Sequence, residues 1–143
     1  RENIRYFGEL HGLSPQQCDQ RIAALASPLE MADFLDRRTE GFSQGQRTKT
    51  AIARALVHDP RNVILDEPTN GLDPNQILEI RNVIREIGRE KTVILSTHIM
   101  QEVEALCSRV ILIHQGKIIQ DSPIDEFKGK FSSLGEAFAS YTN

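Results

Sequence analysis

Asp66 and Glu67 follow a short apolar run, residues 63–65, that is typical of a buried strand. Open α/β sheets place their ligand sites at the carboxyl ends of such strands. Successive strand residues point to opposite faces, so the two carboxylates could divide two tasks. Asp66 could hold a Mg²⁺ ion, largely through water, and Glu67 could orient or deprotonate a water that attacks a phosphoryl group. Taken alone, the pair is equally well interpreted as capping or solvated turn acids.

Two further polar residues are expected near the same edge of the sheet. His98 ends the next strand segment, TVILSTH, which begins with the apolar run of residues 92–95, and it could hydrogen-bond a terminal phosphate oxygen there. A lone histidine at such a position is more often a partly buried residue bonded to the backbone. Asp73 precedes Pro74 in the loop sequence NGLDP, which predicts Asp73 as the N-cap of a helix whether or not it has another function.

The sequence FSQGQ, residues 42–46, precedes a helical pattern. Ser43 lies where the helix should begin, and Gly45 would let the backbone approach an anion. Unpaired amides and the positive dipole end make a helix N-terminus suitable for phosphate. Taken alone, the pentapeptide is more often an ordinary serine cap.

These residues must be positioned by a helical first part and by alternating strands and helices after about residue 60. Ser14, Pro15 and Gln17 predict a capped helix in the first part. Its apolar face would consist of Cys18, Ile22, Leu25 and Leu29. Later, apolar runs alternate with amphipathic helices over residues 74–87 and 99–106, which indicates a parallel sheet covered on both faces. The predicted fold class is therefore α/β.

The remainder of the chain is predicted to form a hairpin and two helices. Residues 110–113 read as a strand, and Gln115-Gly116 predicts a turn into an antiparallel edge strand. Ser122 and Pro123 predict the start of a short helix. A linker over residues 128–133 then leads to a last helix, residues 134–141.

Composition excludes several classes of function. The chain has 143 residues and a net charge of −3, which argues against a sequence-independent nucleic-acid binder. Cys18 and Cys107 belong to no Cys/His cluster, which favours free thiols in a reducing compartment. No apolar run approaches the roughly 20 residues that span a bilayer. A link to a membrane would therefore come through a partner.

In chain order, FSQGQ, VILDEPTNGLDP and STH resemble four motifs of ABC-type ATPases: the signature motif, the Walker B strand with its catalytic glutamate, the D-loop and the switch histidine. The spacings also fit the family, since Ser43 and Asp66 are 23 positions apart and Glu67 and His98 are 31 apart. Residues 1–73 are most similar to sodium-efflux export ATPases, and the rest is similar to ABC-2-type exporters.

The resemblance implies a P-loop NTPase-like fold and a role for each matching residue. Asp66 would be the acid of the Mg²⁺ site, Glu67 the hydrolytic base and His98 the sensor of the γ-phosphate. Asp73 would make a contact across a dimer. The signature residues would be Ser43, Gln44, Gly45 and Gln46.

Three positions depart from the usual family pattern. Phe42 replaces a leucine with another apolar side chain. Gln44 replaces the first glycine of the signature motif and places a side chain beside the phosphate. Gly71 stands where the family often has serine, which removes a hydroxyl from the D-loop.

The sequence contains no phosphate loop of the pattern GxxxxGK[ST]. We therefore expect the chain to be the carboxyl-terminal part of an ABC ATPase, lacking the Walker A half and unable to bind ATP tightly alone. Residues 1–58 would form a helical subdomain with the signature motif, 59–121 the second half of the catalytic core, and 122–143 a helical tail.

The implied function is ATP binding and hydrolysis, with Mg²⁺, in an export-type ABC transporter that moves an ion or small molecule. The implied partners are a second ATPase subunit, as a homodimer, and a multi-span permease at the cytoplasmic face of the cell membrane; no nucleic acid is expected. One alternative is a soluble ABC-type ATPase acting on ribosomes or DNA, although those often carry coiled-coil insertions or a second cassette. The other is a truncated, non-catalytic pairing module.

Overall fold

The computed structural model describes residues 1–142. The described residues form two compact units, Arg1–Ser96 and the residues from Thr97 onward. The helices of the first unit are α1 (Glu2–Leu10), α2 (Pro15–Ala26), α3 (Gln44–Leu56) and α4 (Pro74–Ile87), with a short 3₁₀ turn at Thr39–Gly41. Its strands are β1 (Asn62–Asp66) and β2 (Thr92–Ser96).

The two leading helices pack against each other at a glycine. α2 begins with the predicted capping box, in which Ser14 accepts from the Gln17 amide and the Gln17 side chain accepts from the Ser14 amide. A Cβ on Gly8 of α1 would lie only 2.6 Å from the Sγ of Cys18 in α2. Any larger residue at Gly8 would therefore require the Cys18 thiol or α1 itself to shift.

Strands β1 and β2 pair in parallel, in register from Asn62 opposite Thr92 to Asp66 opposite Ser96. This pairing confirms the predicted α/β class and the parallel sheet at this point. The core of the unit lies between the helices and one face of β1. Its buried apolar side chains include Ile4, Cys18, Ile22, Leu29, Phe34, Phe42, Ile52, Leu56, Val63, Leu65, Ile80 and Ile84.

The other face of the β1–β2 pair is open in the described chain, contrary to the expectation of a sheet covered on both faces. Ile64 is 71% exposed and Ile94 is 55% exposed, whereas Val63 and Leu65 are buried. Successive strand residues point to opposite faces, so β1 alternates between residues buried in the core of the unit and residues on the open face. The described sheet therefore presents an apolar surface to solvent.

The second unit is built on an antiparallel hairpin. Its elements are α5 (Met100–Leu106), β3 (Arg109–His114), β4 (Lys117–Pro123), α6 (Ile124–Lys128) and α7 (Leu134–Thr142). Gln115 and Gly116 both have positive φ, 49° and 74°, as a tight hairpin turn requires, so the predicted turn is confirmed. A small core joins hairpin and helices through Leu112, Phe127, Leu134 and Ala137.

Two expectations for this unit were wrong in detail. The predicted hairpin was expected to extend the edge of the parallel sheet, but among the described residues β3 and β4 pair only with each other, in a separate antiparallel sheet. Ser122 does not cap α6, because it is buried within β4 and its hydroxyl accepts a hydrogen bond from Gln120. Pro123 occupies the cap position instead, without a side-chain hydrogen bond.

Within residues 1–142, no helix combines the length and the apolar character that crossing a bilayer would require. Cys18 is buried, Cys107 is partly buried, and both thiols are free. Burial is also the main reason that the pKa of each thiol lies above its ordinary value.

Candidate functional site

The end of β1 is held by Ser96, the residue opposite Asp66 in the parallel pair. The Ser96 hydroxyl donates a hydrogen bond to Oδ1 of Asp66. The carbonyl of Ser96 accepts from the amide of Glu67 at 2.9 Å. Both carboxylate residues are therefore fixed to the end of β2, at the carboxyl edge of the sheet.

Glu67 has a left-handed backbone, with φ of 46°. Such a conformation costs a residue other than glycine on the order of 1–3 kcal/mol and is concentrated at functional sites. A turn follows at once, since the Glu67 carbonyl accepts from the Asn70 amide at 3.0 Å. The side chain of Glu67 is partly buried, with its Oε2 atom enclosed. The strand thus ends abruptly, and a carboxylate sits at the point where the chain turns.

The signature segment FSQGQ forms the start of α3. Ser43 is the N-cap, and its hydroxyl accepts from the Gln46 amide at 3.2 Å. Gln46 in turn accepts from the Ser43 amide at 3.1 Å, which completes a capping box. Gly45 is buried, while Gln44 is exposed. The helix N-terminus predicted for this segment is therefore present.

Helix α4 begins with a capping box that lies beside the one at the start of α3. Asp73 is its N-cap, as predicted, and Oδ1 accepts from the amides of Asn75 and Gln76, both at 3.0 Å. A Cβ on Gly45 would lie 3.1 Å from the side chain of Gln76. The first turns of α3 and α4 therefore touch, and a glycine at position 45 makes room for that contact.

Gln44 and Gly71, two of the residues that differ from the usual family pattern, lie next to each other. The Cγ atom of Gln44 would be 4.0 Å from a Cβ placed on Gly71. Gly71 has a φ of 74°, a left-handed conformation that favours glycine over serine. The backbone of this loop therefore accounts for the glycine in NGLDP.

A cavity of about 490 Å³ lies between α3 and the end of β1. Its polar lining comes from Gln44, Thr48, Asp66, Glu67 and Asn70. Its apolar wall includes Ala51, Ile52, Ala55 and Ile64. The structure thus places a signature residue and both strand-end carboxylates on the wall of one cavity.

His98 belongs to the second unit, so its position is described within that unit alone. It is exposed and lies immediately before α5. Thr97 fixes this turn, since its hydroxyl donates to the fully buried Glu102 at 2.9 Å and accepts from the Ile99 amide at 3.1 Å. The turn that carries His98 is therefore anchored to the interior of its unit.

Sequence reasoning missed two residues that organise the site. Ser96 could have been found from the register of two parallel strands, which places their last residues side by side. Lys49 of α3 is only 6% exposed. The sequence could have indicated its burial, because Lys49 falls on the same apolar stripe of α3 as Ile52 and Ala53. Its ammonium contacts Glu79 at 2.9 Å and Glu30 at 3.1 Å.

The chemistry of the donor set suits a magnesium ion. The described residues contain no cluster of three or more His, Cys, Asp or Glu side chains that could enclose a metal. Magnesium keeps several waters and takes one or two carboxylates, so the exposed Asp66 carboxylate at the edge of the cavity fits its needs. Asp66 is therefore the residue that would hold it.

The chain is similar to known ATP-binding proteins of ABC transporters. The sequence pattern of the ABC transporter family matches residues 1–70. The chain is 45% identical over 138 residues to the ABC transporter ATP-binding protein NatA of Bacillus subtilis (strain 168), covering 96% of the chain and 53% of that protein. It is 39% identical over 125 residues to the Nod factor export ATP-binding protein I of Paraburkholderia xenovorans (strain LB400), covering 86% of the chain and 41% of that protein.

A third relative is the bacitracin transport ATP-binding protein BcrA of Bacillus licheniformis, 46% identical over 89 residues, which are 61% of the chain and 29% of that protein. A solved ATP-binding subunit of an ABC transporter superposes with a TM-score of 0.82 at 27% identity, covering 99% of the chain and 61% of that subunit. The chain spans about half the length, or less, of the curated relatives it matches. The incomplete P-loop-type α/β fold is thereby confirmed, and the chain belongs to the family of ABC transporter ATP-binding proteins.

Proposed function

We propose that the chain is the carboxyl-terminal part of an ATP-hydrolysing subunit of an export-type ABC transporter. The observation that carries the proposal is the pair of carboxylates, Asp66 and Glu67, fixed to Ser96 at the carboxyl edge of the parallel sheet. The relatives support the export class, since one is named for Nod factor export and another for bacitracin transport. In this proposal, residues 1–58 are the helical subdomain, 59–121 half of the catalytic core and 122–143 the tail.

Asp66 and Glu67 divide the chemistry of hydrolysis. Asp66 holds Mg²⁺, which when bound supplies positive charge to the phosphate oxygens. Ser96 keeps the Asp66 carboxylate at the edge of the cavity. Glu67, partly buried and fixed by its amide to Ser96, orients or deprotonates the attacking water. His98, exposed in its anchored turn, senses the γ-phosphate.

The start of α3 binds the nucleotide of a second subunit. The capping box of Ser43 and Gln46 fixes the first turn, so the amides of Gln44 and Gly45 stand ready at the positive end of the helix. They approach the γ-phosphate of ATP held on the phosphate loop of the partner ATPase subunit. Asp73 contacts that subunit in addition to capping α4. ATP therefore draws the two subunits together.

Closure of the two ATPase subunits drives a multi-span permease, which moves an ion or small molecule. The ATPase subunits lie at the cytoplasmic face of the cell membrane, peripheral to the permease. In this arrangement the ATPase residues named above contact nucleotide and do not meet the transported molecule. The permease therefore selects what is transported.

The test is Glu67→Gln in the intact protein. We expect nucleotide binding to remain and steady-state ATP turnover to fall by about 10²- to 10⁴-fold, the scale of a lost general base. Glu104→Gln is the matched control, because it makes the same chemical change at an exposed position of α5. Turnover that is unchanged by Glu67→Gln, or equally reduced by Glu104→Gln, would remove Glu67 from the role.

A further inference from the structure

Lys49 is a buried charge that the proposed chemistry does not use. It lies in the interior of α3 at 6% exposure, where an unpaired ammonium would be strongly destabilising. Burial alone would lower the pKa of Lys49, but the hydrogen bonds to Glu79 and Glu30 outweigh it and raise the pKa above its ordinary value. The side chain is therefore a cation throughout the neutral range.

The two carboxylates come from different parts of the first unit. Glu79 belongs to α4, and its Oε2 lies 2.9 Å from the Lys49 Nζ. Glu30 follows α2 in a left-handed turn, with φ of 50°, and its Oε2 lies 3.1 Å from the same atom. Lys49 thus joins α3 both to α4 and to the turn after α2.

Lys49 is the second point at which α3 and α4 meet. The first is Gly45 against Gln76, in the opening turn of each helix. Lys49 follows Gly45 by four residues, and Glu79 follows Gln76 by three, so the second contact lies one turn further along both helices. Two contacts one turn apart restrain both the sliding and the rotation of α3 against α4.

Stability alone does not require a lysine here. Both carboxylates keep access to water, with side-chain exposures of 46% for Glu79 and 69% for Glu30. Removing the ammonium would therefore leave neither carboxylate buried and unpaired. An apolar side chain of similar length would fill the space, and such replacements of buried ion pairs are often neutral for stability.

We infer that Lys49 is a positioning residue: through Glu79 it sets the register of α3 against α4, and so places the capped helix starts at Ser43 and Asp73 together for closure over ATP. This inference rests on the proposed function, because the register of the two helices matters for activity only if the subunits close over ATP. Glu30 holds the same lysine to the helical part of the chain, so the two helix starts move with that part as one body.

The experiment compares Lys49→Met, Lys49→Arg and Glu79→Gln in the intact protein. Lys49→Met and Glu79→Gln should lower kcat for ATP by about 10- to 100-fold, the scale of misplaced groups, with KM for ATP little changed. Lys49→Arg keeps the charge and should restore most of the turnover. The matched control is Glu86→Gln, which breaks the exposed Arg89–Glu86 ion pair of 2.8 Å near the end of α4 and should leave kcat unchanged.

A merely structural role would give a different result. The thermal midpoint of each variant would then fall, and kcat per folded molecule would stay at the wild-type value; that outcome overturns the inference. Failure of Lys49→Arg to restore turnover would also overturn it.

Hydrogen exchange of the same intact proteins separates this inference from the proposed function. Lys49→Met should speed amide exchange in peptides covering residues 43–50 and 73–80, and leave peptides of α2 unchanged. If the wild-type protein does not hydrolyse ATP but Lys49→Met still speeds exchange in these two peptides, the proposed function is rejected. The role of Lys49 in setting the register of α3 against α4 is then retained. Unchanged exchange in the two peptides would reject the role of Lys49 in setting the register, whatever the ATPase activity.

Discussion

Asp73 allows the capping role of a D-loop residue to be separated from any role at an interface. Oδ1 accepts two backbone hydrogen bonds at the start of α4, from Asn75 and Gln76, both at 3.0 Å. Asp73→Ala removes both bonds and the negative charge. Asp73→Asn removes the charge but keeps an acceptor oxygen of the same reach.

The expected magnitudes follow from these contacts. Loss of an N-cap side chain costs about 1 kcal/mol of unfolding free energy. Loss of the charge at the helix start costs about 0.3–1 kcal/mol, and the exposure of Asp73 favours the lower end of that range. Asp73→Ala should therefore cost about 1.5 kcal/mol and Asp73→Asn about 0.5 kcal/mol. Ser43→Ala, which removes one neutral cap bond of 3.2 Å, should lie between them.

The assay is urea denaturation of the chain followed by far-ultraviolet circular dichroism, with amide exchange in α4 as a local readout. If Asp73→Asn destabilises as much as Asp73→Ala, the cap geometry does not account for the stability, and the reasoning is refuted. In the intact protein, Asp73→Asn should reduce ATP turnover by more than its small stability loss explains, because the proposed contact across the dimer uses the charge.

Three further outcomes are expected. Isothermal titration of the 143-residue chain with Mg-ATP should show no micromolar binding, since the chain has no phosphate loop; micromolar affinity would contradict this. Ile64→Thr with Ile94→Thr should reduce light scattering by the chain, because both side chains lie on its open sheet face, whereas Val63→Thr, in the buried layer, should destabilise it instead. Burial, reinforced by the stacked ring of His11 at 3.7 Å and by Lys91, lowers the pKa of His58 below 6.5, against the opposing pull of Asp59. The unfolded state then binds the proton more readily, so unfolding free energy should fall as pH drops below about 6.5, and His58→Gln should flatten that dependence in denaturation series.

Short sequence patterns correctly predicted several helix caps, because each cap is formed by residues that are close together in the sequence. The capping box at Ser14 and the N-caps at Ser43 and Asp73 form as expected, because each depends on residues within one turn. Ser122 was misassigned because serine before proline suits a helix start, while pairing with β3 decided its place in β4.

The contacts that assemble the site depend on more than local patterns in the sequence. Ser96 meets Asp66 only through strand register, and Lys49 meets Glu79 only through the packing of two helices. Residues distant in sequence supply these partners, so no window of local pattern contains them. The exposed face of β1 was equally invisible, because an apolar run alone does not show which of its faces is covered.

The left-handed backbone at Glu67 means that the residue best for folding differs from the residue proposed for the chemistry. Glycine and asparagine adopt such a conformation most easily, so the local fold by itself would favour either of them over glutamate at this position. A library selected for thermal stability alone would therefore be drawn away from the carboxylate. Under the proposed role of Glu67 as the hydrolytic base, selection for ATP turnover would act in the opposite direction and keep the carboxylate at position 67.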